Sequence, residues 1–204
     1  MITSLNYSRL PVFFLLTVVL FSFCQAQPAK NDKPAAGKRL FRDSIPPATG
    51  YVNDYENIFT DAEERILDSL IKDFENTTTA QIAIITFDTS MVAADSLDAL
   101  TLRIANEWGV GQKKKDNGVT IGICKGYRKM RIQNGYGISK ILTNAETQTI
   151  IDTAFIPGFK KGNYFEGTLN GLKALMSKLI SSLGGLANMQ VKEYVPGQTA
   201  GNIL

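Results

Sequence analysis

The chain has 204 residues, a hydrophobic fraction of 44% and a net charge of +3. Its size and composition suit one globular domain with tails and exclude disorder throughout. So small a net charge offers no electrostatic argument for nucleic acid or for an acidic membrane surface. Histidine is absent, which removes Ser-His-Asp and Cys-His nucleophile pairs and imidazole metal ligands. Any metal would be a hard cation held by oxygen, meaning calcium or magnesium.

The chain opens with Arg9 ahead of an apolar run over residues 10–23, followed by Cys24, Gln25 and Ala26. A basic start, an apolar stretch and small residues before a cut describe a secretory signal peptide, with cleavage expected after Ala26. The run falls short of the ~20 residues a transmembrane helix needs. Residues 1–26 therefore read as a removable signal. The protein is expected to be exported to a periplasmic or extracellular space, with no stable transmembrane anchor once the signal is cut. Acylation at Cys24 and an uncleaved anchor are the alternatives, and bulky Phe23 stands where an acylation site wants a small residue. Cleavage leaves Cys124 alone, so no intramolecular disulfide forms. Its place at the end of an apolar run suits a small buried hydrophobe.

Residues 27–50 hold Pro28, Pro34, Pro46 and Pro47 without an apolar period, the pattern of a flexible linker. The domain is expected over residues 51–183, with 184–204 as a tail. Thr60 and Glu63 make a capping-box pair, and Ile66, Leu67, Leu70, Ile71 and Phe74 share one face of the helix that follows. Residues 81–87, with Ile82, Ile84 and Ile85, read as a short buried strand. A second helix from about Asp95 carries Leu97, Leu100, Ile104 and Trp108, with Gly109 as its C-cap. Residues 119–124 are the next strand. A tight connection through Gly126 leads to residues 128–133, where Met130 and Ile132 alternate with Lys129, Arg131 and Gln133 as in a half-exposed hairpin partner. Thr143 and Glu146 form a second capping box, whose helix carries Ile150, Ile151 and Phe155 and is expected to stop before Pro157. A last helix runs from about Asn163 through Leu169, Leu172, Leu175, Met176 and Leu179. This order predicts an α/β fold, a small mixed sheet with helices on its faces. The strands flanking the second helix should be parallel, joined by a right-handed crossover.

Four stretches carry residues beyond packing. They are Val52-Asn53-Asp54-Tyr55; the loop 109–118 with Lys113, Lys114, Lys115, Asp116, Asn117 and Gly118; residues 131–137 ending in Gly135-Tyr136-Gly137; and residues 157–167 with Pro157, Gly158 and Gly167. In this order and spacing they resemble the TPM domain family over nearly the whole expected domain. The resemblance implies a three-layer α/β/α sandwich with a small mixed β-sheet, and residence outside the cytoplasm. It also brings associations with phosphatase activity, with calcium binding and with assistance to membrane complexes. Matched position by position, Asp54, Asp116 and Asn117 become the candidate metal ligands for calcium or magnesium. No catalytic residue is named. Gln133, Ser139 and Asn144 stand where the family pattern is often acidic, and calcium affinity falls as ligand charge is lost.

The same residues carry plainer readings. Asp116-Asn117-Gly118 is also a turn signal, Asp54 can support the start of the fold through bonds to backbone, and the two glycines around Tyr136 permit positive φ. The three lysines read as a solvated loop face. Asp88 ends a strand where α/β sheets place ligands, yet matches no family motif. Three functions follow. The first is a cell-envelope accessory or interaction module whose partner is an envelope or membrane protein complex. The second is a metal-assisted phosphatase in which Asp54 and Asp116 hold the cation that activates water, with Lys115 or Arg131 offsetting phosphate charge. The third is a calcium-stabilised fold without catalysis. The site they share requires Asp54 and Asp116 to be neighbours in space.

Overall fold

The computed structural model describes Phe41 and residues 44–182. The expected signal peptide, most of the linker and the tail lie outside the described residues. Strands β1 (Val52–Asp54), β2 (Gln81–Thr86), β3 (Gly118–Cys124) and β4 (Lys129–Asn134) form one sheet in the order β1-β2-β3-β4. The first three are mutually parallel, and β4 returns antiparallel to β3.

Helix α1 (Asp61–Thr78) starts at the expected capping box: Thr60 Oγ1 accepts from Glu63 N, and the Glu63 carboxylate accepts from Thr60 N. The helix α2 (Leu97–Trp108) ends at Gly109, which takes φ 63° and returns its N–H to the last turn. Side chains alternate along a strand, and the helices divide between the two faces accordingly. Ile82, Ile84, Ile121 and Ile123 pack with Leu67, Ile71 and Phe74 of α1. Ile85, Phe87 and Cys124 pack with Leu97, Leu100 and Ile104 of α2. Covered on both sides, β2 and β3 read in sequence as unbroken apolar runs. The fold is the expected α/β/α sandwich with a small mixed sheet.

Both crossovers step the same way across the sheet, yet α1 and α2 lie on opposite faces. The β1–β2 and β2–β3 connections are therefore of opposite hand, and only one has the common right-handed form.

The chain departs from the sequence reading in three places. Strand β1 was not expected; three residues are too few for a period, and two of them are polar. Phe41, 3% exposed, packs edge-on against Tyr55 and Phe87 at 5.1 and 5.7 Å, and Pro46 O accepts a 2.8 Å bond from the Trp108 indole. The domain thus begins before Tyr51.

The third departure is at Pro157. The short helix α3 (Tyr136–Ser139) is followed by α4 (Asn144–Ile150), opened by the second capping box. A π-helical turn, Ile151–Phe155, then leads into α5 (Ile156–Lys160). The helical path does not stop before Pro157. The proline sits in the first turn of α5, directly after the π turn, so the helical path passes through it. The long α6 (Tyr164–Ser182) closes the layer shared with α1.

Candidate functional site

Asp54 ends β1 and pairs with Thr86 at the C-terminal end of β2. Asp116 and Asn117 precede Gly118, which pairs with Gln81 at the N-terminal end of β2. The strand between those two register positions runs about 16 Å. The candidate ligands therefore sit at opposite ends of the sheet, and the shared pocket expected from sequence is not formed.

Each of the three has a structural task. The Asp54 carboxylate, 2% exposed, accepts from Phe59 N at 2.8 Å and from the Thr86 hydroxyl. Thr86 Oγ1 in turn accepts from Glu56 N at 2.9 Å. This relay fixes the loop between β1 and α1. Asn117 clips the loop 109–118 to the α1–β2 connection. Its Oδ1 accepts from Gln112 N at 2.9 Å, and its Nδ2 donates to Thr79 O at 2.8 Å. Asp116 is exposed with φ 46°, and its carbonyl accepts from Gly137 N at 2.9 Å.

The glycine motifs are close-approach devices. A Cβ on Gly137 would fall 2.0 Å from Lys115 O, and one on Gly135 would fall 2.4 Å from Asp116 O. At the fourth stretch, a Cβ on Gly158 would lie 2.5 Å from Gly167 Cα, so two helices cross there almost in backbone contact. Lys115 donates to Thr79 Oγ1, and Arg131 lies 3.7 Å from Asp98 on the α2 face. Neither approaches Asp54. Ser139 bonds the Tyr136 carbonyl, and Asn144 opens α4.

A different set of side chains gathers where β1, β2 and β3 end. Glu56 reaches from the β1–α1 loop to the β3–β4 turn, accepting from Lys125 N at 2.7 Å and Gly126 N at 2.9 Å. Burial pushes its pKa up and the nearby Asp88 charge adds to that, against the two backbone donors. Asp88 folds its own loop, accepting from Ser90 N at 2.8 Å. Tyr164, at the start of α6, stacks on Phe159 at 4.8 Å, and Lys125 Nζ lies 5.6 Å from its ring centroid. Its phenol is pushed up by burial and by Glu56, with Arg128 opposing.

This rim joins two carboxylates, a lysine, an arginine and a phenol at the end of a parallel sheet, the place where α/β folds bind ligands. Among the described residues no three Cys, Asp or Glu side chains converge as a ready-made metal cage. Sequence reasoning noted Asp88 without choosing it and missed Glu56. Glu56 lies two residues beyond Asp54, but nothing marked that loop as a strand end while β1 went unseen.

A family model described as the TPM domain matches residues 52–178. The chain belongs to the TPM domain family. No curated protein matches it. Among solved structures, this TPM domain is similar to the N-terminal domain of a protein from P. gingivalis, with 30% identity and a TM-score of 0.59, covering 66% of this chain and 85% of that one. It is also similar to the BA42 protein of the psychrophilic bacterium Bizionia argentinensis, with 22% identity and a TM-score of 0.55, covering 63% and 86% of the two chains. At 22% identity that second likeness concerns the fold alone.

Proposed function

We propose that this TPM domain is an exported accessory module of the cell envelope that acts by binding, and that the Glu56–Asp88 rim takes a divalent cation of the calcium type. The observation that carries this is the state of Glu56. Two backbone N–H groups hold it partly buried beside a second carboxylate, and its pKa is raised. A cation between the two acids relieves their repulsion and the desolvation of Glu56 together. Carbonyl and hydroxyl oxygens of the same loops would complete the coordination. With only two anionic ligands, affinity belongs to the weak range of extracellular calcium modules, about 10⁻⁴–10⁻³ M. Export rests on the signal-like residues 1–26, and a mature chain beginning at Gln27 by mass spectrometry is the result it requires. The partner is an envelope or membrane protein complex.

Thermal melting with calcium and with magnesium tests the cation. At tenfold excess over Kd, a ligand of the native state adds about 1.4 kcal/mol. The midpoint should rise in the natural protein and stay fixed in Glu56→Gln and Asp88→Asn. A midpoint that neither ion moves, or that rises equally in both variants, sinks the reading.

Lys125 beside Glu56 and Arg128 near Tyr164 favour a second reading, a metal-assisted phosphatase, because they supply positive charge for a phosphoryl group. Phosphatase activity that a chelator abolishes, and that Asp88→Asn loses while Asp116→Ala keeps, would establish it.

A further inference from the structure

At the end of the sheet opposite the Glu56 rim, loop 109–118 and the C-cap of α3 carry exposed lysines, and Glu75 reaches the base of the same loop through Gln81. Between Glu107 and Glu146 the only acidic residue is Asp116. Loop 109–118 presents Lys113, Lys114 and Lys115, all exposed, and α3 is followed by exposed Lys140. The two segments are locked together. Gly137 N donates to Asp116 O at 2.9 Å, and the 2.0 Å clearance at Gly137 leaves no room between it and the Lys115 carbonyl. The lysine loop is thereby seated against the Gly-Tyr-Gly turn. That turn thrusts Tyr136 outward, 69% exposed, with Lys140 Nζ 4.3 Å from its ring centroid. Among the described residues the only other exposed large hydrophobic is Leu102, on α2.

We infer that this face, Tyr136 with Lys140 over its ring and Lys113, Lys114 and Lys115 on the loop seated against its turn, docks the domain on an anionic lipid surface. The chain-wide charge of +3 does not show it, because only one of the 19 acids falls within residues 108–145. A protein interface has a central cluster of buried apolar anchors, whereas here a single ring stands alone among cations. A bilayer interface wants that arrangement: an amphipathic ring at headgroup depth and lysines over anionic headgroups. Lys115 donates to Thr79, and Asp116 is the sole acid within the loop itself. Docked in this way, the domain turns its Glu56 rim away from the bilayer. The inference rests on the export reading for its setting, an envelope membrane.

The test is co-sedimentation of the mature chain, residues 27–204, with phosphatidylglycerol–phosphatidylcholine vesicles and with phosphatidylcholine alone. Binding should require the anionic lipid and fall with salt. Lys113→Gln with Lys114→Gln should weaken partition by about 25-fold, roughly fivefold for each lysine. Lys160→Gln with Lys161→Gln, exposed at the other end, should change nothing. Tyr136→Trp should keep binding and shift its emission to the blue on anionic vesicles. No anionic-vesicle binding, equal partition by the natural chain and the Lys113/Lys114 variant, or retention on polyglutamate without vesicle binding would each overturn it. The calcium melt reads the far rim, so a failure there leaves this result unchanged, as does the reverse.

Discussion

Replacing Asp54 by alanine removes two acceptors from the interior at once. Phe59 N–H and the Thr86 hydroxyl both donate to its carboxylate, and the residue is 2% exposed, so water cannot take its place. Each buried donor left unpaired costs about 1–3 kcal/mol. Thr86 can turn its proton elsewhere while still accepting from Glu56 N, which puts the sum near 3–4 kcal/mol. Against a domain stability of ~5–15 kcal/mol, that is a fall of roughly 10–20 °C in midpoint. Asp54→Asn keeps one acceptor and should lose about half as much, so it remains measurable even if the alanine variant does not fold. Urea unfolding followed by the fluorescence of Trp108, the single tryptophan, reads both. The calcium response, if Asp54 is a strut, survives in the asparagine variant. A loss below about 1 kcal/mol together with a vanished calcium response would refute the strut and restore a ligand role.

The glycines separate steric need from backbone freedom. Gly118→Ala and Gly137→Ala each place a Cβ 2.0 Å from a carbonyl oxygen and should cost more than ~3 kcal/mol. Gly109→Ala, with φ 63° and open space around it, should cost only about 1–2 kcal/mol in the same urea experiment. Lys178 and Thr143 hold the exposed Glu146 carboxyl down, from 4.5 to about 2. Its folded pKa is depressed, so its stabilisation is present above pH 4.5 and is lost as pH falls through about 2. Lys178→Met should flatten that part of the melting-versus-pH curve, and an unchanged slope would contradict the pairing. Cys124 is 0% exposed with its thiol pushed up by burial. Alkylation should therefore follow the urea unfolding curve, and rapid labelling in native buffer would contradict this.

Most of the scaffold was legible because its signals are local. Both capping boxes formed at the residues that announced them, and the β-branched runs of β2 and β3 became the two central strands. What escaped depends on distant partners. β1 has no apolar period because Asn53 and Asp54 are buried by hydrogen bonds: Asn53 bonds Thr49 and Gly50, and Asp54 bonds Phe59 and Thr86. Pro157 looked like a stop because a π turn ahead of it cannot be read from spacing.

The site failed for a related reason. Asp54 follows a strand while Asp116 precedes one, and in parallel strands those are opposite ends. Without β1 that deduction had no footing. The family motifs were rightly singled out, but their glycines and Asn117 serve close backbone contact and loop closure. The acid that best combines burial, donors and a like-charged neighbour, Glu56, lay one residue past the quoted motif.

Amide chemical shifts followed through a calcium titration of the ¹⁵N-labelled protein test the assignment of the binding end most directly. Movement should concentrate at Glu56, Asp88, Lys125 and Gly126 and leave Asp116, Asn117 and Gly135–Gly137 in place. Saturable movement at Asp116 and Asn117 with a silent Glu56 loop would contradict it.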